Sequence, residues 1–116
     1  MVSFQSPAAI FDALGDPTRL AIVAQLCAEG GQRMGELAQG FSMTRPAVAK
    51  HIGVLERAGV ITVHKKGREK ICRLCPETLA QAADWLELHE RLWTAALDDL
   101  AAHFEERNDD DGDGKA

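Results

Sequence analysis

The chain has 116 residues, is 46% hydrophobic, and carries a formal charge of −5 at pH 7. That length suits one domain whose core buries about 65% of the unfolded chain's surface, and the longest apolar runs fall far short of the ~18 residues a membrane span needs. Three cysteines, an odd count, speak against a disulfide framework, and the start MVSFQSPAAI lacks the basic and long apolar regions of a secretory signal, so a cytoplasmic protein is expected.

In chain order, Ser6-Pro7 opens a first helix that ends near Leu14-Gly15. Asp16 caps a second, with Pro17 at its first position, where a missing N–H costs nothing, and Gly30-Gly31 stop it. Its apolar positions are Leu20, Val23, Ala24 and Cys27, with Ile22 and Leu26 widening the face, which places Cys27 in the core. A short third helix near Met34 to Gly40 carries Leu37, Ala38 and Phe41. Ser42-Met43-Thr44 then turns into a fourth, from about Arg45 to Ala58. Pro46 sits inside this apolar run and is harmless only in the first turn, so the helix must begin just before it. Thr44 is the residue that can cap it, and Gly59 closes it.

After Gly59 the period becomes that of a strand. Val60 to Lys66 runs out, Gly67-Arg68 turns, and Lys70 to Leu74 returns. Pro76 opens a last helix, Glu77 to about Arg107, roughly 30 residues or ~45 Å long. Its apolar stripe comprises Leu79, Ala82, Ala83, Leu86, Trp93, Leu97, Leu100 and Phe104, widened by Trp85, Leu88, Leu92 and Ala96. Such a face is broader than one small domain covers, so a second copy of the chain is expected to bury part of it. The acidic, glycine-rich end, NDDDGDGKA, is expected to be disordered, leaving residues 1–107 as one domain and 108–116 as a tail.

Two helices joined by a short turn, the second sharply capped and followed by a hairpin, give a winged helix-turn-helix. The expected class is mainly α with a small β-hairpin, in the order α-α-α-α-β-β-α. The charge pattern agrees. Between Thr44 and Arg73 eight basic residues face two acidic ones, a net +6, which leaves −11 for the rest of the chain. Steering of DNA depends on the local field rather than the total. On a helical wheel Val48, Ile52 and Leu55 form the inner face of the fourth helix, while Pro46, Ala47, Lys50, Gly53 and Arg57 point outward and Arg45 and Ala49 lie on the flank. Arg45 is the residue to grip guanine bidentately, with Lys50 on a base or a phosphate. His51 completes the reading set with Thr44, although the wheel turns its ring inward. Lys65, Lys66 and Arg68 in the wing are placed for phosphate or minor-groove contacts.

These residues also carry a resemblance. Asp16-Pro17-Thr18-Arg19, Gly35-Glu36-Leu37-Ala38, the run Thr44 to His51, Leu55 to Val60 and Gly67-Arg68 resemble the ArsR/SmtB winged-helix regulators from about Ile10 to Phe104. The resemblance implies a homodimeric repressor that leaves operator DNA when an effector, unknown here, binds. It implies an interface between first and last helices, which adds Ile10 to Leu79, Leu86, Trp93, Leu97, Leu100 and Phe104.

Departures from the family separate the subgroups. Arg33 and Gly35 stand where the best-known metal sensors carry a Cys-x-Cys pair, so the chain resembles the subgroup without metal cysteines. Glu87-x-His89 and His103-x-x-Glu106 echo the grammar of the second metal site, but the two histidines stand 14 residues apart, about one turn too far. Cys72-x-x-Cys75 is a thiol candidate, yet strand residues three apart face opposite ways, and two further zinc ligands are missing. No cofactor and no bound metal are expected. No Ser/His/Asp set, paired carboxylates or phosphate-cradling glycine loop points to an enzyme. Two alternatives stay open: a metal- or thiol-responsive repressor on this scaffold, and a winged-helix protein-interaction module without DNA binding.

Overall fold

Most helices begin at a proline or a polar cap, and the structure, a computed structural model, keeps those starts. It describes residues 7–115, with side chains for residues 7–106. The elements are α1 (Ala8–Leu14), α2 (Pro17–Glu29), β1 (Gln32–Arg33), α3 (Met34–Gly40), α4 (Arg45–Arg57), β2 (Ile61–Lys66), β3 (Glu69–Leu74) and α5 (Pro76–Lys115). Pro7 is the N-cap of α1, whereas the expected role of Ser6 lies outside the described residues.

The chain divides into two compact units, Met1–Ala82 and Ala83–Ala116. The division falls inside α5.

In the first unit the segment Asp16-Pro17-Thr18-Arg19 joins three helices. The Asp16 carboxylate accepts the Arg19 N–H at 3.0 Å and caps α2. The Arg19 guanidinium donates to the carbonyls of Ala13 and Asp12, at the C-terminal end of α1, where a cation meets orphan carbonyls and the negative end of the helix dipole. Asp16 also meets His51 Nδ1 of α4 at 3.7 Å.

The core is made by Ile22, Leu37, Val48, Ile52, Leu55, Val60, Ile61 and Cys72, all at most 2% exposed, and no polar or charged residue is buried with them among the described residues. Each large aliphatic side chain so buried contributes about 1.5–3 kcal/mol. The inner face of α2 is Ile22, Val23 and Leu26. Leu20, Ala24 and Cys27 are exposed, contrary to the expected placement of Cys27 in the core. Apolar residues lie nearly all around this helix, so periodicity alone could not phase it.

Helix α4 ends in a Schellman arrangement. Val60 N–H bonds to the Leu55 carbonyl and Gly59 N–H to that of Glu56, with Gly59 at φ 79°. The wing is a hairpin of β2 and β3 around Gly67-Arg68, in register from Ile61↔Leu74 to Lys66↔Glu69. Gly67, at φ 64°, occupies the first turn position, as a II′ hairpin turn requires. The sheet is three-stranded, in the order β1-β3-β2, because Gln32 and Arg33 pair antiparallel with Cys72 and Ile71. Two residues are too few to show a period, so β1 was invisible in the sequence. The observed order is α-α-β-α-α-β-β-α.

Helix α5 extends to Lys115, past the expected stop near Arg107. No proline interrupts it there, and two glycines cost only about 1 kcal/mol each relative to alanine. Within the second unit Leu86, Leu88, Leu92, Trp93, Leu97, Leu100 and Phe104 are 45–63% exposed.

Candidate nucleic-acid interface

The first turn of α4 is fixed by its cap. Thr44 Oγ1 accepts the Ala47 N–H at 3.3 Å, and Pro46 stands where its missing donor is not needed. Val48, Ile52 and Leu55 are buried, which turns Arg45, Pro46, Lys50 and Arg57 to solvent and leaves Ala47, Ala49 and Gly53 half-buried between. Arg57 lies back over Gly53, one turn earlier, where a Cβ would touch its guanidinium. His51 is half-buried and turned to Asp16. It ties α4 to the start of α2.

Arg45 does not extend freely from the helix. Its guanidinium lies against Gly35 of α3, in space that any Cβ would occupy. The position where sensors in the resembling family carry a ligand cysteine is here a recess for an arginine. A cleft of about 430 Å³ follows, lined by Arg33 to Glu36 and Gln39, by Arg45, and by Arg68, Glu69 and Lys70 of the wing. It brings Arg45 and Arg68 to one place. Lys65 and Lys66 are exposed further along the wing.

Arg33, Gly35 and Lys70 were missed as site residues. Lys70 counted only toward the charge asymmetry, and Arg33 joins the site through the unforeseen strand β1. Among the described residues no ion pair engages Arg45, Arg68 or Lys70, so three cations face the cleft without a carboxylate partner.

Among the sensing candidates, Cys72, Cys75 and His89 have contacts within the fold. Cys72 is fully buried, and burial, with Glu56 adding, pushes its thiol up, which disfavours the thiolate. Cys75 donates to Glu77 Oε2 and accepts from Thr78 Oγ1, both at 3.3 Å, at the start of α5. The backbone N–H of Glu77 and this thiol hold its carboxyl below the usual range. His89 stacks on Trp85 at 3.8 Å, with Nδ1 2.8 Å from the Trp85 carbonyl oxygen. Glu87, His103 and Glu106 are exposed. Among the described residues no three of His, Cys, Asp and Glu converge on a metal position.

The expected interface residues divide. Leu86, Trp93, Leu97, Leu100 and Phe104 are open. Ile10, 5% exposed, belongs to the core of the first unit, and Leu79 packs against that core, so both are already largely covered.

Comparison with known proteins adds to this geometry. A family described as "Helix-turn-helix domain" matches residues 14–64. The HTH-type transcriptional regulator Rv2034 of Mycobacterium tuberculosis is 36% identical over 110 residues, spanning 95% of this chain and 99% of that protein. The transcriptional repressor SdpR of Bacillus subtilis is 31% identical over 77 residues, covering 66% of this chain and 84% of its own. A crystal structure of an ArsR family transcriptional regulator, RHA00566, superposes with a TM-score of 0.68 at 39% identity, over 77% of this chain and 94% of that one.

Proposed function

Because the chain belongs to the ArsR/SmtB family of winged helix-turn-helix transcriptional regulators, we propose that it is a homodimeric repressor that reads a pseudo-palindromic operator and is released by an effector. It is a DNA-binding regulator and not an enzyme. The observation that carries the finer reading is the shared cleft, where Arg45 from the first turn of α4 and Arg68 and Lys70 from the wing stand together without carboxylate partners. In this reading Arg45 contacts a base edge. Thr44, Pro46, Ala47 and Ala49 let the first turn approach the major-groove floor, and Lys50, Arg57, Lys65, Lys66 and Arg68 hold phosphates.

The exposed stripe of α5, Leu86, Trp93, Leu97, Leu100 and Phe104, supports pairing with a second copy, since an apolar helix face of that length needs cover. A regulator of chromosomal DNA would work in the cytoplasm, and among the described residues no helix is long and apolar enough to cross a membrane. The name of the relative SdpR, a transcriptional repressor, favours repression as the direction of control. Thiol sensing is disfavoured by the burial of Cys72, which disfavours its thiolate.

The test is duplex binding by fluorescence anisotropy over a salt series, with the site enriched from a random pool. A dimer that neutralises about six to ten phosphates loses roughly 10³–10⁵ in affinity between 50 and 200 mM salt. Arg45→Ala costs about 1–3 kcal/mol on the enriched site and relaxes preference at one base pair per half-site. No duplex affinity even at low salt would instead favour the protein-interaction module.

A further inference from the structure

The cleft between α3, α4 and the wing is not uniformly basic. Arg33 Nε meets Glu69 Oε2 at 2.9 Å and Glu36 Oε1 at 3.7 Å. The register explains the first contact. Arg33 pairs opposite Ile71, and Glu69 lies two residues along the same strand, hence on the same face, at the diagonal that long side chains span. One guanidinium thus serves two carboxylates, a trio of net −1 set into a wall whose other cations, Arg45, Arg68 and Lys70, have no acidic partner. Glu69 stands in sequence between two of them.

We propose that Glu69 is a specificity-determining residue of the DNA interface: with Glu36 it withholds Arg33 from DNA phosphates and places a negative charge at the cleft. This rests on the DNA-binding reading above. A phosphate backbone that approaches without correct base contacts meets repulsion there, whereas a matched site supplies enough contact at Arg45 to tolerate it. A repulsive element of this kind lowers the affinity for wrong partners more than for the right one. The trio is half-exposed, at 51–57% for its side chains, so it adds little to folding and its substitution leaves the fold standing.

The experiment compares the full-length wild type, Glu69→Gln and Glu69→Gln/Arg33→Gln on a fluorescein-labelled 30-base-pair duplex of random sequence and on the enriched site, each over a salt series. Thermal melts verify that all three proteins fold. Glu69→Gln is expected to bind the random duplex about threefold more tightly per protomer. Its log–log salt slope steepens by about 0.9 per protomer, the signature of one added phosphate contact. The ratio of enriched to random affinity falls, and the double variant loses the added slope. Unchanged random-duplex affinity and slope in Glu69→Gln would overturn the proposal, as would a double variant that keeps the steeper slope. Wild type that binds neither duplex at 50 mM salt would overturn the DNA-binding reading itself, a different failure.

Discussion

At the scale of single residues the interface depends on what is missing from Gly35. Its absent side chain leaves the recess in which the Arg45 guanidinium lies. Gly35→Ala is therefore expected to displace a flexible arginine tip rather than backbone. Discrimination among DNA sites should fall several-fold while urea unfolding moves by less than about 1 kcal/mol, since glycine inside a helix is no better than alanine. Equal loss of stability and affinity would show instead that Gly35 packs the fold. The start of α4 at Arg45 was legible in the sequence because Thr44 and Pro46 fix it. The recess was not, because it lies between two helices and no local pattern encodes it. His51 shows the converse: its position on the wheel was readable, but its partner Asp16 comes from another helix.

At the scale of elements the caps do the positioning. Thr44→Ala removes the acceptor of the Ala47 N–H, and chemical denaturation should show a loss of about 1 kcal/mol; no loss would mean that proline alone fixes the start. Asp16 is the titrating counterpart. The Arg19 N–H bond, aided by the charges of Arg19 and His51, holds its carboxyl below the ordinary value. The folded pKa lies below the unfolded one, so the stabilisation is complete above the unfolded value, near 3.8, and fades as pH falls through the folded one. Asp16→Asn, which can still cap, should flatten the decline of melting temperature from pH 5 towards pH 2. Parallel declines would assign acid lability elsewhere. Caps, prolines and glycines made α2, α3, α4 and the hairpin readable to within a residue or two. Strand β1 was not readable, since its two residues become a strand only by pairing with β3. The far end of α5 has no stop residue to mark it.

At the scale of the whole molecule, a chain of net −5 concentrates +6 between Thr44 and Arg73. That segment supplies both α4 and the wing, and the fold turns a sequence asymmetry into a cleft shared by Arg45, Arg68 and Lys70. The apolar stripe of α5 was legible as a pattern, while the covered state of Ile10 and Leu79 required the packing of the first unit. Central to the account is that two such reading surfaces act together, related by a two-fold axis. The direct measurement is affinity for duplexes whose two enriched half-sites are set about 10 base pairs apart, centre to centre, and then about 15. The first spacing presents both half-sites on one face of the DNA and should bind at least tenfold more tightly than the second, which turns them to opposite faces. Equal affinity at both spacings would contradict a paired reader and leave each protomer binding DNA alone.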